Sequence, residues 1–231
     1  KYEIILDANN PPSDFNSKNY QAGCLSFEFL YSGKKVISNC GSANNFNGEL
    51  PYLSQTTAAH STLTINDTSS CQFQKNSLVR TYYGNSLIRK LKVYKKDLNF
   101  DKDTISIIAG HNGYQKNYNT MYERKILVKT NEDKLIGDEL IVVAKKDLVF
   151  LNFALRFHIM PGGKLVQTQG GDVLLSVDNQ GWKFKSSHTI KIEDSLFFAF
   201  SDKVSVSKCI LVEGTLKDKV NSINWSLEKT N

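Results

Sequence analysis

Period-two alternation runs through most of the chain. Phe153, Leu155, Phe157 and Ile159 take one phase of a segment whose other phase holds Ala154, Arg156, His158 and Met160. Successive strand residues point to opposite sides of a sheet, so each set shares a face. Pro161-Gly162-Gly163 then predicts a turn. Short strand patterns follow at residues 164–167, 173–177, 182–185, 189–192, 196–200, 209–212 and 223–227. Upstream, residues 2–6 are a short apolar run, and residues 24–31 and 35–38 read as a hairpin around Ser32-Gly33. Residues 61–65 alternate small polar with apolar side chains, and residues 87–94 mix Leu, Ile and Val with Arg and Lys, as a half-exposed strand does. Ile105, Ile107 and Ala109 lead into a turn at His111. No amphipathic helix of three or more turns and no fixed-period repeat is visible. Residues 9–22, with Pro11-Pro12, and residues 41–52 read as loops. The pattern predicts one all-β domain over residues 1–231, an antiparallel β-sandwich (supersandwich-like) of many short strands.

Composition narrows the class. A chain of 231 residues, 40% hydrophobic and 11% aromatic, has enough apolar surface for a substantial core. Its net charge of +6 favours acidic partners: nucleic acid, an anionic surface or an acidic polysaccharide. Plain solubility is the other reading. The lysines fall in scattered pairs, Lys34-Lys35, Lys95-Lys96 and Lys145-Lys146, which read as solvated hairpin tips. A nucleic-acid binder shows a denser basic stripe, so no nucleic acid is expected as partner. No run approaches the roughly 18 apolar residues of a membrane helix, so no membrane span is expected. No leader peptide is visible, and the chain opens at Lys1 in a strand-like segment, which suggests a processed product or a piece of a longer protein. Cys24, Cys40, Cys71 and Cys209 show no CxxC spacing, against a zinc knuckle. Cys24 and Cys40 flank the first hairpin, where a cross-strand bridge or buried free thiols would each fit.

Few residues offer chemistry. His60 stands just before an alternating strand that ends on Asn66-Asp67. A histidine there serves as proton carrier or ligand, or simply bonds nearby backbone. His111 lies in a turn flanked by Gly110 and Gly113, open to a ligand or used for capping. Tyr114 presents a hydroxyl beside it or fills the sandwich. Arg156 and His158 share a face that holds a carboxylate if it is wet, and is merely satisfied if it is packed. His188 reads as an exposed turn. Trp182 and Trp225 are sugar platforms or core filling. The sequons Asn66-Asp67-Thr68 and Asn224-Trp225-Ser226 matter only in a eukaryotic secretory product. GxSxG, Walker, HExxH and GxGxxG patterns are absent, and nothing suggests a nucleotide cofactor.

Several words taken in order resemble the C-terminal β-domain of heparinase II/III-like polysaccharide lyases. They are Tyr20-Gln21-Ala22-Gly23-Cys24-Leu25-Ser26-Phe27-Glu28, Asn39-Cys40-Gly41, the residue 56–67 stretch with His60, and Gly110-His111-Asn112-Gly113-Tyr114. Glu123-Arg124, Leu135-Ile136-Gly137-Asp138-Glu139, Arg156-Phe157-His158 and Gly181-Trp182 complete the series. The resemblance implies a two-part bacterial enzyme of the periplasm or cell envelope. An N-terminal α/α toroid, absent from this chain, would pack on the sandwich, with an acidic polysaccharide such as a glycosaminoglycan between them. It implies β-elimination at a uronate, with His60 as the catalytic candidate and His111, Tyr114, Arg156 and His158 as substrate contacts. Cationic groups, amides or a metal would neutralise the carboxylate as the enolate-like state forms. Without the toroid the chain alone is expected to be inactive. A non-catalytic carbohydrate-binding module is the alternative. The chain departs from its relatives at Asn19 or Gln21, where histidines are common, near Gly23, where an acidic residue is usual, and at Gln55, where arginine is frequent. Those departures count against a divalent metal site built from this segment and His60.

Overall fold

The computed structural model describes residues 1–13, 16–74, 84, 86–144, 151–198 and 203–230. Two antiparallel sheets pack face to face. The first contains β1 (Tyr2–Leu6), β2 (Phe27–Tyr31), β3 (Lys34–Ser38) and β4 (Leu63–Ile65). A small ribbon of β5 (Gln72–Phe73) and β6 (Leu87–Arg89) comes next, then β7 (Val93–Phe100), β8 (Thr104–His111), β9 (Thr120–Lys129) and β10 (Lys134–Val143). The remainder is β11 (Leu151–Ile159), β12 (Lys164–Gln167), β13 (Val173–Val177), β14 (Gln180–Ser186), β15 (Thr189–Phe197), β16 (Ser205–Leu216) and β17 (Val220–Thr230). The first sheet runs β1-β2-β3-β11-β16-β15 with β4 also on β11, and the second runs β12-β13-β14-β17-β10-β9-β8-β7.

The alternation in β11 resolves as expected: Phe153, Leu155, Phe157 and Ile159 are buried in the core. On its other face Ala154 and Arg156 are half-buried, while His158 is covered. Trp182 and Trp225 are both core filling. The indole of Trp225 lies parallel to Phe27 and Phe184 and edge-on to Phe157, tying the two sheets together. It lies over Gly137, its partner on β10, where an added Cβ would sit 1.9 Å from the ring. Only a residue without a side chain fits there.

Some expectations are corrected. Residues 87–94 are split between β6 and β7, and 189–192 and 196–200 merge into β15, with Ala199 and Phe200 outside the described residues. The strand expected at 61–65 shrinks to β4, because Ser61 and Thr62 bond to β11 irregularly. The loop at 41–52 ends in a short helix, α1 (Leu50–Gln55), with Pro51 in the first turn, where its missing N–H costs nothing. A second, α2 (Gln115–Tyr118), follows β8. Lys34 does begin a strand at a hairpin tip, but Lys95 and Lys96 lie within β7, and Lys145-Lys146 falls outside the described residues. All four cysteines are free and buried, so Cys24 and Cys40 form no bridge. His188 is half-buried against the Phe153 ring rather than an exposed turn residue.

Candidate functional site

β3 and β4 lie along the same edge of β11, and the irregular run from Thr56 to Thr62 fills the gap between them. After α1, residues Thr57–Ala59 form one 3-10 turn that delivers His60 to its C-terminal end. Ser61 then fastens the run. Its N–H donates to Asn39 Oδ1 (2.8 Å), its hydroxyl to the Ser38 carbonyl (2.5 Å), and Oγ accepts the His158 N–H (2.9 Å).

His60 is 4% exposed. Its Nδ1 is 2.8 Å from the Thr56 carbonyl, which can only accept, so Nδ1 carries the proton and Nε2 keeps its lone pair. Nε2 faces the Gln21 side-chain amide at 3.2 Å, which satisfies it when the amide NH2 is turned inward. The ring lies on Gly23, where a Cβ would be 2.5 Å from Cδ2. Burial lowers its pKa to about 4, against a smaller upward pull from the Thr56 bond. His158 Nε2 donates to the Ala58 carbonyl (3.0 Å), and Nδ1 accepts from Ser195 Oγ (2.8 Å) with Cys40 Sγ at 3.4 Å. Burial, with smaller contributions from His60 and Arg156, outweighs the upward pull of the Ala58 bond and lowers that pKa to about 3. The Cys40 thiol, pushed up to about 11 by burial, is protonated, so this cluster holds no thiolate nucleophile.

The other sequence candidates take separate positions. His111 ends β8, buried, with Nδ1 accepting the Gly113 N–H (3.0 Å) and its ring against Tyr122. Burial lowers its pKa to about 3. Tyr114 is buried and donates to the Leu63 carbonyl (2.6 Å). Arg156 Nη1 donates to Thr64 Oγ1 (3.1 Å), and its Nη2 stands 4.0 Å from Asp67. Of the five, Arg156 alone is only half-buried.

A buried ion pair, which sequence reasoning missed, supports the His60 run. Arg124 on β9 and Glu139, opposite it on β10, lie 2.9 Å apart with side chains fully buried. The Glu139 carboxylate also accepts from Tyr122 Oη (2.6 Å) and Trp225 Nε1 (2.7 Å). Arg124 Nη1 reaches across the sandwich to the carbonyls of Leu25 (2.5 Å) and Ser61 (2.7 Å). One guanidinium thus clamps the turn that carries Gly23 and the run that carries His60. The signal was available. In β9 the inward phase is Thr120, Tyr122, Arg124, Ile126 and Val128, and in β10 Leu135, Gly137, Glu139 and Ile141. A charge in the apolar phase of an alternating strand announces a buried partner.

The surface beside this run is grooved. A cavity of about 410 Å³ is lined by Thr56 and Ala58, the anchors of His60 and His158, and by Tyr52, Thr68, Arg89 and Asn117 among others. A second hollow of about 740 Å³, reaching Asn152, Thr189 and Glu213, shares Asp67 with it. Among the described residues no three His, Cys, Asp or Glu side chains gather as a metal ion requires, and Nε2 of His60 meets an amide. The donors present do not fit a transition metal.

A family profile described as Heparinase II/III-like, C-terminal, matches residues 1–226. The chain belongs to that heparinase II/III-like C-terminal family. Solved structures agree on the fold. Heparan sulfate lyase HepC from Pedobacter heparinus superposes with a TM-score of 0.76 at 13% identity, covering 99% of this chain and 33% of that one. A heparinase III structure gives 0.71 at 13% identity, covering 100% and 34%. A putative aldose 1-epimerase from Escherichia coli K12 gives 0.50 at 7% identity, covering 99% of each chain. The heparinase-like chain therefore spans about a third of the length of the lyases it matches. A search of curated protein sequences finds no match.

Proposed function

We propose that this heparinase II/III-like domain is the C-terminal part of a polysaccharide lyase-like protein and forms one wall of its substrate cleft. An α/α toroid supplies the other wall, and a uronate-containing acidic polysaccharide is cleaved between them by β-elimination. The observation that carries the reading is the family match over residues 1–226. The net charge of +6 and the groove beside the His60 run support it, since a cationic body draws an anionic polymer to its clefts. In this reading His60 contributes from beneath the groove. Its unprotonated nitrogen is covered by Gln21, which is only half-buried, so a swing of that side chain exposes a proton acceptor.

One observation favours a second reading, a carbohydrate-binding module without catalysis. His60 is buried, with a pKa near 4, and makes a weak base while Gln21 stays in place. Changing His60→Ala in the full-length protein separates the two. A fall in unsaturated uronate release of about a hundredfold or more, with folding intact, is the outcome expected of proton transfer. Unchanged release with weaker polymer retention would instead establish the binding module.

A further inference from the structure

Arg89 differs from the chain's other described arginines. Arg124 has Glu139 at 2.9 Å and Arg156 has Asp67 at 4.0 Å. Arg89 projects from β6 into the wall of the 410 Å³ groove, half-buried, and its Nη1 donates to the side-chain carbonyl of Asn117 on α2. That acceptor is neutral. Among the described residues no carboxylate lies within ion-pair reach of the guanidinium, so its charge is offered to the groove.

The rest of the wall suits a sugar. Tyr52, half-buried, stands edge-on to Phe73 at 6.2 Å. The Thr56 hydroxyl donates to the Leu53 carbonyl, and that of Thr68 bonds both the Asn66 carbonyl and the Tyr118 hydroxyl; each keeps a lone pair for a ligand. The volume falls in the range of about 300–1,000 Å³ usual for small-ligand clefts. The one acid among the described wall residues, Asp67, is faced by Arg156.

We propose that this groove is a binding subsite for an acidic saccharide, with Arg89 holding the oxyanion of one sugar unit. Asn117 fixes the guanidinium, Tyr52 offers an aromatic wall to the pyranose ring, and the wall hydroxyls and amide take the sugar hydroxyls. A guanidinium accepts a carboxylate or a sulfate ester in the same two-point geometry. The inference rests on the function proposed above for its polymer class, and adds a residue that the family resemblance did not single out.

Calorimetric titration of the full-length protein with a sulfated uronate tetrasaccharide, its carboxyl-reduced form and its desulfated form tests it. Arg89→Gln is expected to weaken binding of the acidic sugar about tenfold, the loss of one charge-assisted contact. The modified form whose affinity no longer depends on Arg89 identifies which anion the residue holds. Arg89→Lys, the more conservative change, is expected to lose less, because the charge survives without the fork. Wild-type affinity in both variants, or an equal loss toward all three sugars, would overturn the subsite. If the protein releases unsaturated uronate while binding ignores Arg89, the subsite fails and the lyase reading stands. Arg89-dependent binding with no uronate release by the wild type would do the reverse.

Discussion

Arg124 and Glu139 meet as a buried pair at the centre of the sandwich, whereas His60 and His158, beyond the Ser61 backbone, are held neutral. All four side chains are buried, and the difference lies in what faces them. Glu139 receives hydrogen bonds from Arg124, Tyr122 and Trp225, so ionisation is compensated from three directions. His60 meets one backbone carbonyl and one amide, and His158 a carbonyl, a hydroxyl and a protonated thiol. None of those compensates a cation fully, so burial wins and the rings stay unprotonated. The interior keeps charge where its partners are charged and sheds it where they are only polar. The first region acts as a clamp between the two sheets. The second is where acid should be felt.

Removing one half of the clamp tests the comparison hardest. Glu139→Gln leaves Arg124 buried without a counter-charge and is expected to cost about 3–5 kcal/mol in urea denaturation. The double change Arg124→Met with Glu139→Leu should cost less than the single one, because no orphan charge remains. A Glu139→Gln protein as stable as the wild type would mean that the pair contributes little to folding.

Acid probes the second region. In the unfolded chain His60 titrates near the usual 6.5, and in the folded chain near 4. Between those values the unfolded state binds the extra proton. The stabilisation is therefore complete above about pH 6.5 and is lost as pH falls toward 4, by roughly 3 kcal/mol for this residue. His111 and His158 steepen the same loss and extend it to about pH 3. Denaturation midpoints measured from pH 7 to 4 should fall, and His60→Asn should flatten the slope. An unchanged slope in that variant would detach the pH response from His60.

The smallest effect expected is at Gly23. An alanine there would bring Cβ to 2.5 Å from the His60 ring, and overpacking of that kind costs about 1–3 kcal/mol. The change should appear in the imidazole NMR signals of His60 while the aromatic ring signals of Tyr122, on the Glu139 clamp, stay in place. Joint movement of both would show the two regions to be one mechanical unit.

Much of this was legible along the chain. The period-two pattern of Phe153, Leu155, Phe157 and Ile159 is sufficient to orient β11, because a residue's face follows from its parity. The buried tryptophans follow from their apolar size. Less of the site could be read. The six residues of α1 are too few to show a helical period, and Lys95-Lys96 reads as a hairpin tip although it lies mid-strand on β7. Arg89 reads as one more cation in a half-exposed strand, and only the approach of α2 shows that its described partner is neutral.

The sequence by itself determined the all-β class, the phase of its longer strands and the order of words that matches the heparinase II/III-like family, since each is written in local spacing. Tertiary structure alone decided that Arg124 faces Glu139, that Gly137 lies beneath Trp225, and that His60 rests on Gly23 behind Gln21. Those contacts join residues whose proximity depends on strand register and sheet packing, and both are set by burial summed over the whole sandwich rather than by any neighbouring residues.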